Sequence, residues 1–293
     1  MKEFKNKVAV ITGAASGIGR AIAERCSLEG MKVVLADVEE TALKQAEQEM
    51  REAGATVLAV ATDVSKAGDV EALAQKSLDH FGAVHLLCNN AGVASFGRLW
   101  ECSLADWKWV MGVNLWGLIH GIRFFVPVML EQDTEGHIVN TASMGGLFSP
   151  PYNGIYVGSK HAVVALSEVL HNELRLHRSK LKVSVLCPAM VKTRMNEAER
   201  NRPPELRNPP DRKAGVPESM QRAHGRMHEQ QAETAGDMAV QVFDAIRDEK
   251  FYILPHPDFR ESIEVRFRNM MEEKDPILPG SLLRRLGIID PGQ

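Results

Sequence analysis

Four cysteines in 293 residues, Cys26, Cys88, Cys102 and Cys187, stand at no paired or metal-ligand spacing. A disulfide framework and a cysteine-held metal are thereby excluded. Three of the four lie in or beside apolar runs, as small buried hydrophobes in a reducing compartment do. Net charge is also scarce: −3, with a pI near 6.4, provides no field to draw nucleic acid or an anionic membrane surface. Long hydrophobic runs are missing. The basic start, residues 1–7, leads into an apolar run that stops at Thr12 and Gly13, too short for a secretory leader, and no stretch approaches the length of a membrane span. A cytoplasmic protein with no membrane or nucleic-acid partner is expected. No metal is expected either: His171 and His177 are wrongly spaced on one helix, and His228-Glu-Gln lacks the second histidine of a zinc-protease motif. A Gly-x-Ser-x-Gly elbow is absent, which argues against a hydrolase nucleophile.

What the chain does have is alternation. Val8 to Ile11 is fully apolar, the mark of a strand covered on both faces. Gly13-Ala-Ala-Ser-Gly17-Ile-Gly19 follows, and then helical periodicity from Arg20 to Gly30. Strand, glycine turn and helix aim unpaired N–H groups at a phosphate, and the glycines admit a pyrophosphate where a Cβ would collide. The spacing G-x-x-x-G-x-G departs from the commoner G-x-G-x-x-G, and by itself an ordinary tight turn would show it too. A second strand, Val33 to Ala36, ends at Asp37, at the distance expected of a carboxylate that accepts the ribose hydroxyls of NAD. The 2′-phosphate of NADP would meet it as a like charge. Neither Ser16 nor Val38 offers a compensating cation, so NAD is expected over NADP. Asp37 could instead cap the helix from about Glu39, and one side chain would serve only one of these roles well.

The alternation continues with a helix to about Glu52, a strand from Thr56 to Ala61, a helix from about Gly68 to His80, and a strand from His85 to Cys88. Four such units mean a parallel, doubly wound sheet, with Asp37, Asp63 and Asn90 at the carboxyl ends where ligands sit. Leu104 to Glu131 reads as one long helix, apolar over much of its surface, with Asn114 in its middle. A strand from His137 to Thr141 stops just before Ser143. Another helix carries Tyr156 and Lys160 to about His177, and a sixth strand, Val183 to Cys187, ends at Pro188. The expected fold is α/β: a three-layer, doubly wound, Rossmann-like parallel sheet of about seven strands in a single domain over 1–293. Within it, about 196–233 is a polar insert rich in Pro, Arg, Glu, Asn and Gln, either a lid or disordered, part of it mobile. After a helix (Thr234 to Arg247) and a last strand (Phe251 to Leu254), about 258–293 forms a helical extension in which Phe259, Ile263, Phe267 and Met270 share one face.

Tyr156 and Lys160, four residues apart, lie one turn from each other on the same helix face. An isolated phenol, with a pKa of about 10, is a poor base at neutrality. A nearby ammonium favours the phenolate and is expected to draw that pKa down toward the working range of a general acid–base. Such pairs also occur by chance, and Tyr152, with no lysine four residues on, is a decoy. The order of motifs is more specific: Thr12 to Gly19, Asp63-Val64, Asn89-Asn-Ala-Gly92, Asn114, Ser143, Tyr156 with Lys160, and Pro188 with Thr193. In these the sequence resembles the short-chain dehydrogenase/reductase family, in its short single-domain branch, continuously from about Lys5 to Thr193 and again in the last helix and strand.

The resemblance implies hydride transfer between a nicotinamide and an alcohol or carbonyl, with Tyr156 moving the proton and Ser143 donating a hydrogen bond to the same oxygen. It implies that Lys160 holds the nicotinamide ribose and that Asn114 anchors a water leading toward Lys160. Gly13, Ser16, Gly17, Ile18 and Gly19 would hold the phosphates, Asp37 the adenosine ribose, and Asp63 with Val64 the adenine. Asn90, Ala91 and Gly92 would line the ribose, and Pro188, Val191 and Thr193 the carboxamide end. One departure is Ala189, where the family has glycine, which puts the placement of that loop in doubt. Arg200 to Glu205, Gly236-Asp-Met and Phe251 to His256 are similar to segments of bacterial dehydrogenases that oxidise the benzylic alcohol of lignin-type β-aryl ethers. The substrate implied is a bulky, apolar secondary alcohol or ketone, with Phe148, Met190 and Met195 as pocket walls or ordinary core. Two alternatives stand: a nicotinamide-binding regulatory protein without catalysis, and reduction of a C=N or C=C bond. Helices 104–131 and 155–177, apolar beyond what one sheet can cover, are expected to join copies into a homodimer or homotetramer.

Overall fold

The structure is a computed structural model. It describes residues 1–209, 215–218, 220–222, 225 and 232–285. Strand β1 (Val8–Thr12) is buried throughout, and its four apolar residues, Val8 to Ile11, cover both faces. Ala9 and Ile11 pack with Ile22 and Phe243 on one side of the sheet, while Val8 and Val10 pack with Leu73 and Phe125 on the other. Around β1 the strands β2 (Lys32–Asp37), β3 (Val57–Ala61), β4 (Leu86–Asn89), β5 (Gly136–Thr141), β6 (Leu181–Leu186) and β7 (Tyr252–Ile253) run parallel in the order β3-β2-β1-β4-β5-β6-β7. Val10 pairs with Val34 on one side and with Leu87 on the other, so the winding reverses between β1 and β4. A crevice opens at the carboxyl ends of strands where the order reverses.

Helices α1 (Gly17–Leu28), α2 (Glu40–Glu52) and α3 (Ala67–Phe81) cross between the first four strands, within two or three residues of the boundaries read from periodicity. The expected helix 104–131 is three pieces: α4 (Leu104–Met111), a π-helical turn (Gly112–Trp116) and α5 (Gly117–Glu131). The π turn contains Asn114, and wide turns of this kind inside α-helices recur at functional sites. The expectation that no stretch approaches a membrane span is corrected here. Leu104–Glu131 is long and apolar enough to cross one by length and composition. Its inward face is committed to the fold: a Cβ on Gly121 would collide with the Asn89 amide, and Phe125 is buried under the sheet. Helix α6 (Gly154–Leu176) lies beside it, and Leu104, Trp116, Val169 and Leu176 remain exposed on this side of the molecule.

The first part of the expected polar insert is ordered in 3-10 turns, Arg194–Asn201 and Pro204–Leu206, and docked. The polar groups of this part find protein partners. Arg202, 1% exposed in its side chain, pairs with Asp106 at 2.7 Å. Much of the rest of that insert, and residues 286–293 of the extension, lie outside the described residues. Helices α7 (Ala235–Arg247), α8 (Arg260–Met271) and α9 (Gly280–Arg285) complete the chain. The apolar stripe on the extension divides. Phe259 stacks on Phe148 with ring centres 5.9 Å apart, and Ile263 packs on the same cluster, whereas Phe267 and Met270 are exposed.

Candidate active site

The chain leaves β1 through a loop that only glycine permits. Gly13 (φ +66°) and Gly17 (φ +57°) adopt left-handed backbone, and a Cβ on Gly13 would lie 2.9 Å from Ala91 Cα. Ser16 caps α1 in extended backbone without a side-chain capping bond, and no acidic residue occupies the first turn. The amides there face the cavity with the positive end of the helix dipole behind them. Gly13, Ser16, Gly17 and Ile18 line that cavity. Gly19, expected among the phosphate holders, does not. It is buried behind the loop, where a Cβ would collide with the Gly13 carbonyl, and its role is close packing. This cradle and donor set fit a dinucleotide pyrophosphate.

Thr12 ties the cradle to the next loop. Its Oγ1 accepts from the Asn90 N–H at 2.9 Å and the Ala91 N–H at 3.1 Å, while Asn90 Nδ2 donates to the Thr12 carbonyl at 3.0 Å. Asn90, Ala91 and Gly92 are thereby turned into the cavity. Asp37, at the end of β2, accepts from Ala15 N–H on Oδ2 and from Glu39 N–H on Oδ1, both at 3.0 Å. Glu39, not Asp37, is the N-cap of α2, so Asp37 does not take the capping role weighed for it, and lone pairs remain on both its oxygens. Burial pushes the Asp37 carboxyl up from its ordinary range, against the pull of these hydrogen bonds. Asp63 and Val64 line the same end.

The cavity, about 370 Å³, runs from Asp37 past Gly92 to Ser143, Tyr156 and Lys160. Pro188, Val191 and Thr193 line its side, and Phe148, Met190 and Met195 enclose its far end together with Phe96, Phe259 and Leu282. Tyr152 does not face it. Asn114 lies just behind, in a small adjoining cavity. Its Oδ1 accepts from the Val93 N–H at 2.8 Å, and its Nδ2 donates to the Val93 carbonyl and to Ser159 Oγ. A Cβ on Gly92 would be 3.5 Å from both Asn114 Oδ1 and Lys160 Nζ, ordinary van der Waals contact, so Gly92 borders both side chains closely.

Ser143 Oγ accepts from the Gly145 N–H at 3.1 Å and donates to the Pro188 carbonyl at 3.3 Å. Tyr156 is half-buried and opens onto the cavity, yet enough protein surrounds its phenol to leave the phenolate poorly solvated. That raises its pKa, and a hydrogen bond with Ser143 offsets the rise only in part. The expected lowering by Lys160 is therefore corrected. Lys160 Nζ stands 5.6 Å from the Tyr156 ring centre and donates instead to the Thr141 carbonyl at 2.8 Å. Burial acts on the cation as well, pushing Lys160 down to about 8.

The Lys160 shift has a thermodynamic consequence. Between about pH 8 and the ordinary lysine pKa of about 10.4, the unfolded chain binds more protons at this position than the folded one, so the wild type gains stability as pH rises through that window. Lys160→Met should abolish this gain and leave the protein at pH 7 as stable as the wild type or more so, by up to about 3 kcal/mol. Thermal melts of both proteins from pH 7 to 10.5 test it. A variant that is strongly destabilised and keeps the wild-type pH slope would contradict the buried-cation account.

Two features had no signal in the sequence. His256, 67 positions from Ala189 and nearly buried, clamps the loop after β6: Nδ1 accepts from the Ala189 N–H at 3.1 Å, and Nε2 faces the Met190 carbonyl at 3.2 Å. Ala189 lies outside the left-handed region, so the loop has no need of the glycine found in the family. Glu39 lines the cavity beside Arg194 and Arg200, which come from the docked insert.

A phosphate cradle at one end of a single cavity and a phenol beside a buried lysine at the other point to an enzyme that oxidises or reduces by way of a dinucleotide. Comparison with known proteins narrows that class. Residues 7–204 match the family model described as short chain dehydrogenase, and the chain belongs to that family of oxidoreductases. It is 36% identical over 282 residues to a CLA biosynthesis dehydrogenase/reductase of Lactiplantibacillus plantarum, covering 94% of this chain and 97% of the relative. It is 34% identical over 285 residues to a C alpha-dehydrogenase of a Sphingobium species, covering 94% and 89%. A solved short chain dehydrogenase/reductase from Burkholderia phymatum, in complex with NAD, shares 48% identity and a TM-score of 0.91 over 95% of this chain and 99% of its own.

Proposed function

We propose that the enzyme interconverts a bulky, apolar secondary alcohol and its ketone, using NAD in preference to NADP. The observation that carries this reading is the single cavity on which the cradle and the Ser143, Tyr156, Lys160 set both open, its far walls being the apolar side chains of Phe96, Phe148, Met190, Met195, Phe259 and Leu282. The bound nicotinamide would supply the hydride acceptor or donor. The amides at Gly13, Ser16, Gly17 and Ile18 hold the phosphates, and Asp37 takes the adenosine ribose hydroxyls. Asp63 and Val64 enclose the adenine. Asn90 to Gly92 and Lys160 orient the second ribose, and Pro188, Val191 and Thr193 hold the carboxamide. Tyr156 takes the proton from the substrate hydroxyl or returns it to the carbonyl oxygen. Ser143 donates to that oxygen, where charge develops. Asn114 keeps a water between itself and Lys160. The NAD complex of the Burkholderia neighbour and the name of the Sphingobium relative support the choice of cofactor and substrate.

The test is reduction of NAD, and separately NADP, with a panel of secondary alcohols from 2-propanol to bulky benzylic ones. Turnover with NAD should favour the bulky alcohols by at least about tenfold in kcat/KM, since added apolar surface fills the chamber. A preference for the smallest alcohols, or turnover mainly with NADP, would refute the corresponding half of the proposal.

A further inference from the structure

The adenosine end of the cavity contains a charge cluster that the proton-transfer chemistry does not need. Glu39 stands two residues beyond Asp37, and its backbone N–H is bound by the Asp37 carboxylate. Its Oε1 accepts from Arg200 Nη2 at 2.7 Å, from Arg200 Nε at 3.0 Å and from Asn201 Nδ2 at 2.9 Å. Arg194 Nη1 approaches Oε2 at 3.8 Å. The third face of the Arg200 fork donates through Nη1 to the Arg194 carbonyl at 2.9 Å. Every nitrogen of that guanidinium is thus engaged. The pair joins residues 161 apart in sequence, and both side chains are about four-fifths shielded from solvent. Burial opposes ionisation of Glu39, but the hydrogen bonds from Arg200 and Asn201 prevail and hold its carboxyl below the usual range.

Arginine forks beside a ribose are what a 2′-phosphate needs, because they bind phosphate oxygens bidentately and remain charged at any working pH. Here both arginines stand in the cavity wall: Glu39 occupies Arg200, and Arg194 donates to Glu197 Oε2 at 2.9 Å and lies 3.8 Å from Glu39. Resting on the dinucleotide reading above, we propose that Glu39 is a specificity-determining residue of the adenosine site. By holding Arg200, it withholds a cation that would pair with the 2′-phosphate of NADP; Arg194 is already engaged by Glu197 at 2.9 Å. Discrimination against NADP then depends on this ion pair as well as on the Asp37 carboxylate. The sequence alone suggested a site with no nearby cation; the fold brings two, Arg200 held by Glu39 and Arg194 paired with Glu197 at 2.9 Å.

Direct binding separates this from a purely structural role. NADH and NADPH are titrated by fluorescence against the wild type, Glu39→Gln, and Glu39→Gln combined with Arg200→Ala. Glu39→Gln should tighten NADPH binding about tenfold while NADH changes by less than about threefold, and the added Arg200→Ala should remove the gain. NADPH affinity that stays level, or falls in parallel with that for NADH, would overturn the proposal and leave Glu39 as a fastener of the docked segment. A gain that survives Arg200→Ala would overturn the route through Arg200. A wild type that binds neither dinucleotide would instead refute the dinucleotide reading, and this inference with it.

Discussion

Tyr156→Phe should lower kcat by about 10²–10⁴-fold and leave NADH affinity within about twofold, read by steady-state turnover and fluorescence titration. The substitution removes one oxygen from a ring that stays packed where it is. Ser143 retains its bonds to Gly145 and Pro188, and Lys160 its bond to the Thr141 carbonyl. The surroundings of the phenol therefore survive while the only proton carrier proposed for the substrate oxygen is gone. Because burial raises the Tyr156 pKa, the phenol is neutral near pH 7, and removal of its oxygen takes no charge from the fold, so the variant should fold like the wild type. Loss of turnover together with NADH binding would mean that the phenol serves binding rather than proton transfer. Substantial residual turnover would move the acid–base role to another group.

Arg202→Ala should destabilise the protein by about 3–5 kcal/mol, with a fall in melting temperature on the order of 10 °C. Arg202 is buried: Nη2 meets Asp106 Oδ1, Nε donates to the Leu206 carbonyl at 2.6 Å, and its guanidinium carbon lies 4.9 Å from the Trp109 ring centre. Asp106 also anchors α4, accepting from the Ser103 N–H at 2.8 Å in a reciprocal capping box, and takes a second bond from Asn208 Nδ2 at 2.7 Å. Truncating the arginine leaves a carboxylate in a dry site without its counter-charge, which costs more than the net worth of the pair. A double variant, Asp106→Asn with Arg202→Met, should recover much of the loss because no buried charge remains. Thermal and urea unfolding of the three proteins check this, with limited proteolysis to detect release of the segment after Thr193. A single variant within about 1 kcal/mol of the wild type would show that the pair is not a structural anchor.

Local periodicity and spacing carried most of the fold. Val8 to Ile11 could be read as a strand covered on both faces because no polar residue interrupts it, and the glycines that follow admit few other uses than a tight turn into a helix. Tyr156 and Lys160 could be paired from spacing alone, since residues four apart on a helix must share a face. Asn114 was visible as a mid-helix amide, but the π turn that holds it was not: Gly112–Trp116 differs from its flanks by hydrogen-bond pattern, which periodicity over five residues cannot resolve. The polar insert was legible as a change of composition. Its docking was not, because the partners of Arg202 and Arg200 lie 96 and 161 residues back, at Asp106 and Glu39.

Short-range rules thus determined the alternating elements, the cradle at Gly13 and Gly17, and the candidate pair on α6, each set by backbone geometry over a few residues. Tertiary structure alone decided which charges meet. It brought His256 to the loop at Ala189 and Arg200 to Glu39, and it buried Lys160 and surrounded the Tyr156 phenol with enough protein to reverse the expected direction of the Tyr156 shift. The reason is common to all three. Solvation and ion pairing depend on what surrounds a group in space, and in a doubly wound sheet those surroundings are assembled from strand ends and loops far apart in the chain.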